Sequence, residues 1–250
     1  MSYIEEIIKK HQPQEINDYA ELFILRQIKD DIKNWAGNCL NGITYSGSYA
    51  KGTALDSTSD LDLFISLKST TNNTLKEIYE SLASKFKSKN YTLRYQNVSI
   101  RVTKDNYDID LVPAKNDKGN TNYHKLYSRK NESWIKTNVK KHINIVKNSN
   151  RVKEITALKV WRNNHNLNFP SIMIELMVVE ALKNRKVGEL ERNFWYMLDY
   201  IYENIENKRI LDPSNTNNII SNSISMTDKL KIKRVTKECR TKIHLRNILW

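Results

Sequence analysis

Residues 47–65 read Gly-Ser-Tyr-Ala-Lys-Gly-Thr-Ala-Leu-Asp-Ser-Thr-Ser-Asp-Leu-Asp-Leu-Phe-Ile, and two features of different chemistry meet in them. Gly47-Ser48 ends a short strand and opens a helix start, where unpaired backbone N–H groups and the helix dipole favour a phosphate. Asp60 and Asp62 then stand at i and i+2 on a strand over residues 61–67. The period of two puts both carboxylates on one face and turns Leu61 and Leu63 toward the core. Two like charges held so close repel. A divalent cation between them relieves the repulsion, and Mg²⁺ is usually held by one or two carboxylates together with substrate phosphates.

The pattern repeats in Tyr107-Asp108-Ile109-Asp110-Leu111-Val112-Pro113. Asp108 and Asp110 again share a face, with Ile109 and Leu111 inward. If this strand lies beside 61–67, one of its aspartates completes a three-carboxylate site able to hold two metal ions. One ion would lower the pKa of an attacking hydroxyl, and the other would stabilise a triphosphate and its leaving group. Each feature alone is ordinary: a Gly-Ser pair is a turn, and an Asp-x-Asp pair is a solvated strand face. Their occurrence together in this order points to a metal site.

Outward from this stretch, apolar spacing at Leu22, Leu25, Ile28 and Ile32 predicts a helix over 15–35. Residues 42–46 read as a strand and 74–88 as an amphipathic helix with Thr74 as N-cap. Strands are expected at 91–96, 98–103 and 107–112, and polar loop over 114–133. Helical patterns follow at 138–148, 151–164, 171–185, 189–206 and 227–248. No internal repeat or low-complexity block stands out. The expected fold class is α+β in two lobes: a mixed β-sheet lobe with flanking helices over 1–125, and a helical lobe over 126–250.

A chain of 250 residues, 39% hydrophobic and 28% charged, suits a globular protein with a real core. No apolar run approaches a membrane span. The opening MSYIEEIIKKHQ has acidic residues and no apolar h-region, so no signal peptide is expected. Cys39 and Cys239 have neither metal-ligand spacing nor a disulfide framework, which suggests a cytoplasmic setting. Charge is uneven. Residues 1–70 hold 7 Lys and Arg against 10 Asp and Glu, a net −3; the remainder holds 34 against 18, a net +16. A basic body beside an acidic segment suits a polyphosphate held over carboxylates, although a generally basic surface gives the same balance.

GSYAKGT, SDLDLFI and the later YDIDLVPA together resemble the DNA polymerase β nucleotidyltransferase superfamily. More narrowly they are similar to the branch of 2′-5′ oligoadenylate synthases, class I CCA-adding enzymes and bacterial synthases related to cyclic GMP-AMP synthase. EITALKVWR, NFPSIMIEL and LDPSNTNN are similar, more loosely, to stretches of that branch's helical substrate-binding lobe. The resemblance implies that Asp60, Asp62 and Asp110 are the metal ligands and catalytic carboxylates, with Mg²⁺ or Mn²⁺ as cofactor. Asp110 would act as, or orient, the base. It implies that Gly47 and Ser48 bind the β- and γ-phosphates, that Lys159 and Ser171 hold the triphosphate, and that His124 contacts a phosphate. For Lys159 and His124 the plainer readings are a solvated helix lysine and an ordinary loop histidine.

Two departures matter. Ile172 follows Ser171 where some relatives have a base-stacking Tyr, so that stacking either falls to Tyr123, Tyr127 or Tyr196 or is weaker. The chain also ends at Trp250 without a counterpart to the tRNA-gripping domains of CCA-adding enzymes. In the last helix, Val235, Cys239 and Ile243 form one stripe among basic residues, either a solvated face or an RNA surface. The expected activity is template-independent transfer of a nucleoside monophosphate from an NTP to a hydroxyl, with release of pyrophosphate. The expected product is a linear or cyclic oligonucleotide signal, with an antiviral role implied at family level. The alternative acceptor is an RNA 3′ end such as tRNA, and a catalytically silent binding module is the third reading. No membrane partner is expected, and oligomeric state is left open.

Overall fold

The computed structural model of the chain describes residues 1–13, 19–56, 60–119 and 121–250, and the side chains of all of these except 19–21. In chain order come helices α1 (Tyr3–Lys10) and α2 (Tyr19–Ala36), strand β1 (Leu40–Tyr45), the short helix α3 (Gly47–Lys51), β2 (Leu61–Leu67) and α4 (Leu75–Lys87). Strands β3 (Thr92–Tyr95), β4 (Ile100–Lys104), β5 (Tyr107–Asn116), β6 (His124–Ser128) and β7 (Ser133–Thr137) follow. Helices α5 (Val139–Asn148), α6 (Val152–Asn164), α7 (Ser171–Ala181) and α8 (Leu190–Asn204) come next. A hairpin of β8 (Leu211–Asp212) and β9 (Asn215–Ile219) leads to α9 (Met226–Arg240). No helix among the described residues is long and apolar enough to cross a membrane.

The chain divides into two compact units. The sheet unit comprises Gln14–Ala50 and Ser59–Lys141. Its strands run in the order β1-β2-β5-β4-β3, with β6 and β7 continuing from the far end of β5. β2 and β5 are parallel, and their other partners in this row are antiparallel. The alternation in the sequence explains the core. Leu61, Leu63, Ile65 and Leu67 of β2 and Ile109 and Leu111 of β5 pack under Ile28 and Ile32 of α2 and Ile78, Leu82 and Phe86 of α4. α4 is started by a capping box: the Thr74 hydroxyl accepts from the Glu77 N–H, and the Glu77 carboxylate accepts from the Thr74 N–H.

The helical unit comprises Met1–Pro13, Lys51–Thr58 and His142–Trp250. Its core centres on α6, which is buried along most of its length and carries Trp161, with Phe169, Met173, Phe194 and Met197 in the same cluster. α1 joins this unit through Ile4, Ile7 and Ile8.

Several expectations need correction. The segment read as loop over 114–133 continues β5 to Asn116 and then forms β6 and β7. Pro113 does not stop β5, because it falls between the β4 partners, which end at Leu111, and the β6 partners, which begin at Lys115. For this reason the sheet unit runs on to Lys141, past the boundary drawn at 125/126, while residues 1–13 and 51–58 leave the N-terminal part for the helical unit. In α2 the buried row is Ile24, Leu25, Ile28 and Ile32, and Leu22 is exposed. The first residues of the helix expected at 15–35, namely 15–18, lie outside the described residues, as do 57–59 of the opening motif. The last helix stops at Arg240 rather than near 248, and Ile243 is exposed. The chain turns there and buries Leu245, Ile248 and Leu249 instead, a larger apolar gain than one exposed helical stripe.

Candidate functional site

Strand register assembles the carboxylates. Asp62 of β2 and Asp110 of β5 are Cα partners across the parallel pair, and Arg101 of β4 is the partner of Asp110 on its other side. Asp60 stands just ahead of β2, and Asp108 pairs with Thr103 of β4, whose hydroxyl donates to it at 2.5 Å. Because side chains alternate, Asp60, Asp62, Asp108, Asp110 and Arg101 occupy the face of the sheet opposite Leu61, Leu63, Ile109 and Leu111.

The Gly-Ser turn is tied to the same row. The Ser46 N–H donates to the Asp62 carbonyl at 2.9 Å, so the strand is hooked to β2 just before it turns into α3. Gly47 follows with φ +62°, and a Cβ at that position would overlap the Asp62 carboxylate. Glycine is required here twice over, by the backbone conformation and by the carboxylate that fills the space a side chain would take.

Arg101 was not among the residues singled out from the sequence. Its Nε donates to Asp110 Oδ1 at 2.8 Å and its Nη2 to Asp110 Oδ2 at 3.1 Å, a two-pronged contact; Nη2 also donates to Asp60. Its Nη1 lies 3.6 Å from Asp108. The Gln96 amide donates to both oxygens of Asp110, at 3.1 and 3.2 Å. Asp110 is buried, whereas the Asp60 side chain is 41% exposed. Burial pushes the Asp60 carboxyl above its ordinary value, and the Asp110 charge adds to this against the opposing pull of Arg101. The hydrogen bonds that Arg101 donates to Asp110 raise its guanidinium well above its usual range.

The hairpin that aligns Arg101 was legible. Asp105 and Asn106 both have positive φ, the two-residue turn that suits such residues, and this pairs Lys104 with Tyr107. Counting back three residues on each side sets Arg101 opposite Asp110.

Among the described residues no group of three or more His, Cys, Asp or Glu side chains is preformed as a metal site. The donor set nevertheless fits a hard divalent ion. Asp60, Asp62 and Asp110 offer only oxygen, Asp62 and Asp110 stand on neighbouring strands, and Arg101 pairs with three of the carboxylates gathered there, Asp60, Asp108 and Asp110.

The other sequence-predicted residues sit in different surroundings. His124 is buried in the sheet unit, edge-on to Phe64. Its Nδ1 lies 3.2 Å from the Asn122 carbonyl and its Nε2 2.8 Å from the Ser66 hydroxyl, which in turn accepts from Asn41. This network assigns a neutral ring that donates from Nδ1 and accepts at Nε2, and burial holds its pKa below the ordinary value. Both nitrogens are thus engaged within the protein. Tyr127 is buried against Tyr79, Lys136 lies over the Tyr123 ring, and Arg185 lies over the Tyr196 ring.

In the helical unit, the Lys159 ammonium is buried. It donates to Thr53 Oγ1 at 2.7 Å and to Glu175 Oε1 at 2.9 Å. Lys51 holds the other Glu175 oxygen at 2.7 Å. Desolvation lowers the Lys159 pKa despite the Glu175 charge. Desolvation raises the Glu175 pKa, but the two ammonium groups outweigh it and the carboxyl sits below its usual value. Ser171 is the first residue of α7, and its hydroxyl accepts from Arg162 at 2.9 Å. Glu175 and Arg162 were also missed from sequence: each has partners on another element, set by helix packing rather than by spacing. In LDPSNTNN, Asp212 Oδ1 lies 2.8 Å from His142 Nε2 and accepts from the N–H and hydroxyl of Ser214 at 2.8 and 2.7 Å. Burial opposes these hydrogen bonds, yet they pull the Asp212 carboxyl down to about 2.

A mixed sheet that sets two aspartate-bearing strands side by side beneath a Gly-Ser turn is the arrangement of a nucleotidyltransferase. The model of the Second Messenger Oligonucleotide or Dinucleotide Synthetase domain family matches residues 14–150, more than half of the chain, and the protein belongs to that family. Solved structures of similar fold include Escherichia coli MS115-1 CdnC with ATP, at 18% identity and a TM-score of 0.76, covering 95% of this chain and 89% of that one. Bradyrhizobium diazoefficiens CdnG, a CD-NTase in complex with GTP, matches at 12% identity and a TM-score of 0.79, covering 98% and 91%. Elizabethkingia meningoseptica CdnE, a cyclic dinucleotide synthase with GTP and Apcpp, matches at 16% identity and a TM-score of 0.73, covering 96% and 98%. A search of curated protein sequences finds no match.

Proposed function

We propose that this nucleotidyltransferase joins NTPs into a linear or cyclic oligonucleotide signal, with Asp60, Asp62 and Asp110 as its metal-binding and catalytic carboxylates. The observation that carries this reading is the register of Asp62 with Asp110 on neighbouring parallel strands, under a glycine whose missing side chain leaves room for the Asp62 carboxylate. The family to which the chain belongs supports the product class.

Asp60 and Asp62 would hold Mg²⁺ or Mn²⁺ jointly with Asp110, and the bound ion would neutralise phosphate charge and lower the pKa of the acceptor hydroxyl. Gly47 and Ser48 present the turn that receives the β- and γ-phosphates. The acceptor oxygen forms a bond to the α-phosphorus while the bond to pyrophosphate breaks, and the hydroxyl proton leaves toward Asp110 or solvent. Gln96 and Arg101 orient Asp110 for that role. Ser171 is proposed as a triphosphate contact at the start of α7. For Lys159 the same role requires exchange of Glu175 or Thr53 for a phosphate, and for His124 it requires release of Ser66 or Asn122.

The test is incubation of purified protein with Mg²⁺ and each α-labelled NTP, with and without total cellular RNA. A small labelled product resistant to phosphatase and formed without RNA is expected of a cyclic product, and label confined to RNA would instead make the protein a terminal transferase.

A further inference from the structure

We propose that Arg101 competes with a divalent ion for Asp60, so that the ion is held by this carboxylate only as Arg101 releases it. The inference rests on the metal role given to Asp60, Asp62 and Asp110 above.

The geometry is asymmetric in a way that suits exchange. Arg101 grips Asp110 with two donors, Nε and Nη2, and Gln96 supports the same carboxylate. Of the Arg101 donors, Nη2 alone reaches Asp60, and Asp110 shares it. Asp110 is buried, and Asp60 is far more open. Forked contacts to a buried carboxylate are the stronger kind, and a single contact to an exposed one is weak and easily screened. The Asp60 arm is therefore the one that opens.

Arginine cannot leave by losing its proton, so exchange requires displacement. A lysine would place a compact charge near one carboxylate and would not span both. Arg101 thus offsets the repulsion among Asp60, Asp108 and Asp110 when no ion is bound, and sets a threshold that an arriving ion must exceed. By keeping its fork on Asp110, it also holds that carboxylate in place through the exchange.

The probe is Mn²⁺ alone, without nucleotide, with free ion followed by electron paramagnetic resonance and metal-free stability followed by melting temperature. Arg101→Gln should bind Mn²⁺ about tenfold more tightly than the unaltered protein, roughly the worth of one charge-assisted hydrogen bond. The same variant should melt lower when metal-free and gain more in melting temperature from Mn²⁺. Arg101→Lys keeps the charge but not the bridge, and should also bind Mn²⁺ more tightly; it carries the test alone if Arg101→Gln does not fold.

Unchanged or weaker Mn²⁺ binding in both variants would overturn the proposal. Tighter binding in Arg101→Gln with none in Arg101→Lys would also overturn it, since net charge alone would then account for the change. A double variant Asp60→Asn, Asp62→Asn that binds Mn²⁺ as well as the unaltered protein would instead remove the metal reading on which the proposal stands.

Discussion

Two clusters of charged side chains, one in each unit, look alike in composition and differ in what they leave over. In the helical unit Glu175 is enclosed by Lys51 and Lys159, with Thr53 completing the Lys159 ammonium. Both ammonium groups there share one buried carboxylate, one oxygen each, so both oxygens of Glu175 are taken. On the sheet, Asp60, Asp62, Asp108 and Asp110 share one row, and among the described residues Arg101 pairs with Asp60, Asp108 and Asp110. That row is net negative and partly open at Asp60. A closed cluster holds helices in place. An open one with surplus negative charge has capacity left for a cation and the phosphates it carries. The comparison teaches that the number of charged residues does not locate a cation site; the sign of the excess and its openness to solvent do.

The contrast can be broken most sharply on the sheet. Asp60→Ala with Asp62→Ala should reduce nucleotidyl transfer by about 10⁴-fold or more, since the stabilisation a bound metal supplies is several kcal/mol. Circular dichroism and melting temperature should stay near those of the unaltered protein, because removing two like charges from one face relieves repulsion. Full activity in that double variant would sink the account.

The closed cluster should respond the opposite way. Glu175→Ala leaves the buried Lys159 ammonium and the partly buried Lys51 ammonium without their shared partner and should cost about 3–5 kcal/mol of folding stability. Denaturant titration reads this directly, and the loss should appear without any nucleotide present.

Gly47→Ala sharpens the comparison from the side of the turn. The added methyl meets the Asp62 carboxylate in a backbone conformation that suits glycine. Displacement of the carboxylate by about an ångström should lower turnover by about 100-fold, with a smaller loss of stability. Equal activity in this variant would detach the Gly-Ser turn from the carboxylate row.

The smallest effect is expected at Asp212, a buried carboxylate held by hydrogen bonds from Ser214 and by His142. Its pKa is depressed in the folded chain, so its contribution is present above the ordinary carboxylate value and is lost as pH falls from about 3.8 toward about 2. Asp212→Asn should lower stability at neutral pH by about 1–2 kcal/mol, after allowance for solvent screening. Urea melts at neutral pH and near pH 3 check this: the gap between the two proteins should narrow at the lower pH.

How much of this was legible in the sequence follows from where each constraint is written. The period of two in LDLFISL and YDIDLV gave β2 and β5, their shared acidic face and their buried face, because alternation is a local property. Thr74 as a cap was legible for the same reason. β6 and β7 were not, since His124–Ser128 and Ser133–Thr137 are short and polar and become strands by pairing with each other and with the end of β5. Arg101 was legible in principle from the two-residue turn at Asp105-Asn106, but only once the hairpin register is followed outward. Lys159 read as a solvated or phosphate-binding lysine, whereas helix packing gives it Glu175 from another helix. Such long-range pairs leave no spacing to read.

The claim at the centre of the account is that the carboxylate row is where metal and nucleotide meet. Crystals grown with Mn²⁺ and a non-hydrolysable NTP analogue test it by anomalous diffraction. The account predicts an anomalous peak ligated by Asp60 and Asp62, with Asp110 beside it and the triphosphate over the Gly47-Ser48 turn. Bound nucleotide with no metal at these aspartates, or Mn²⁺ ligated elsewhere in the chain, would contradict it.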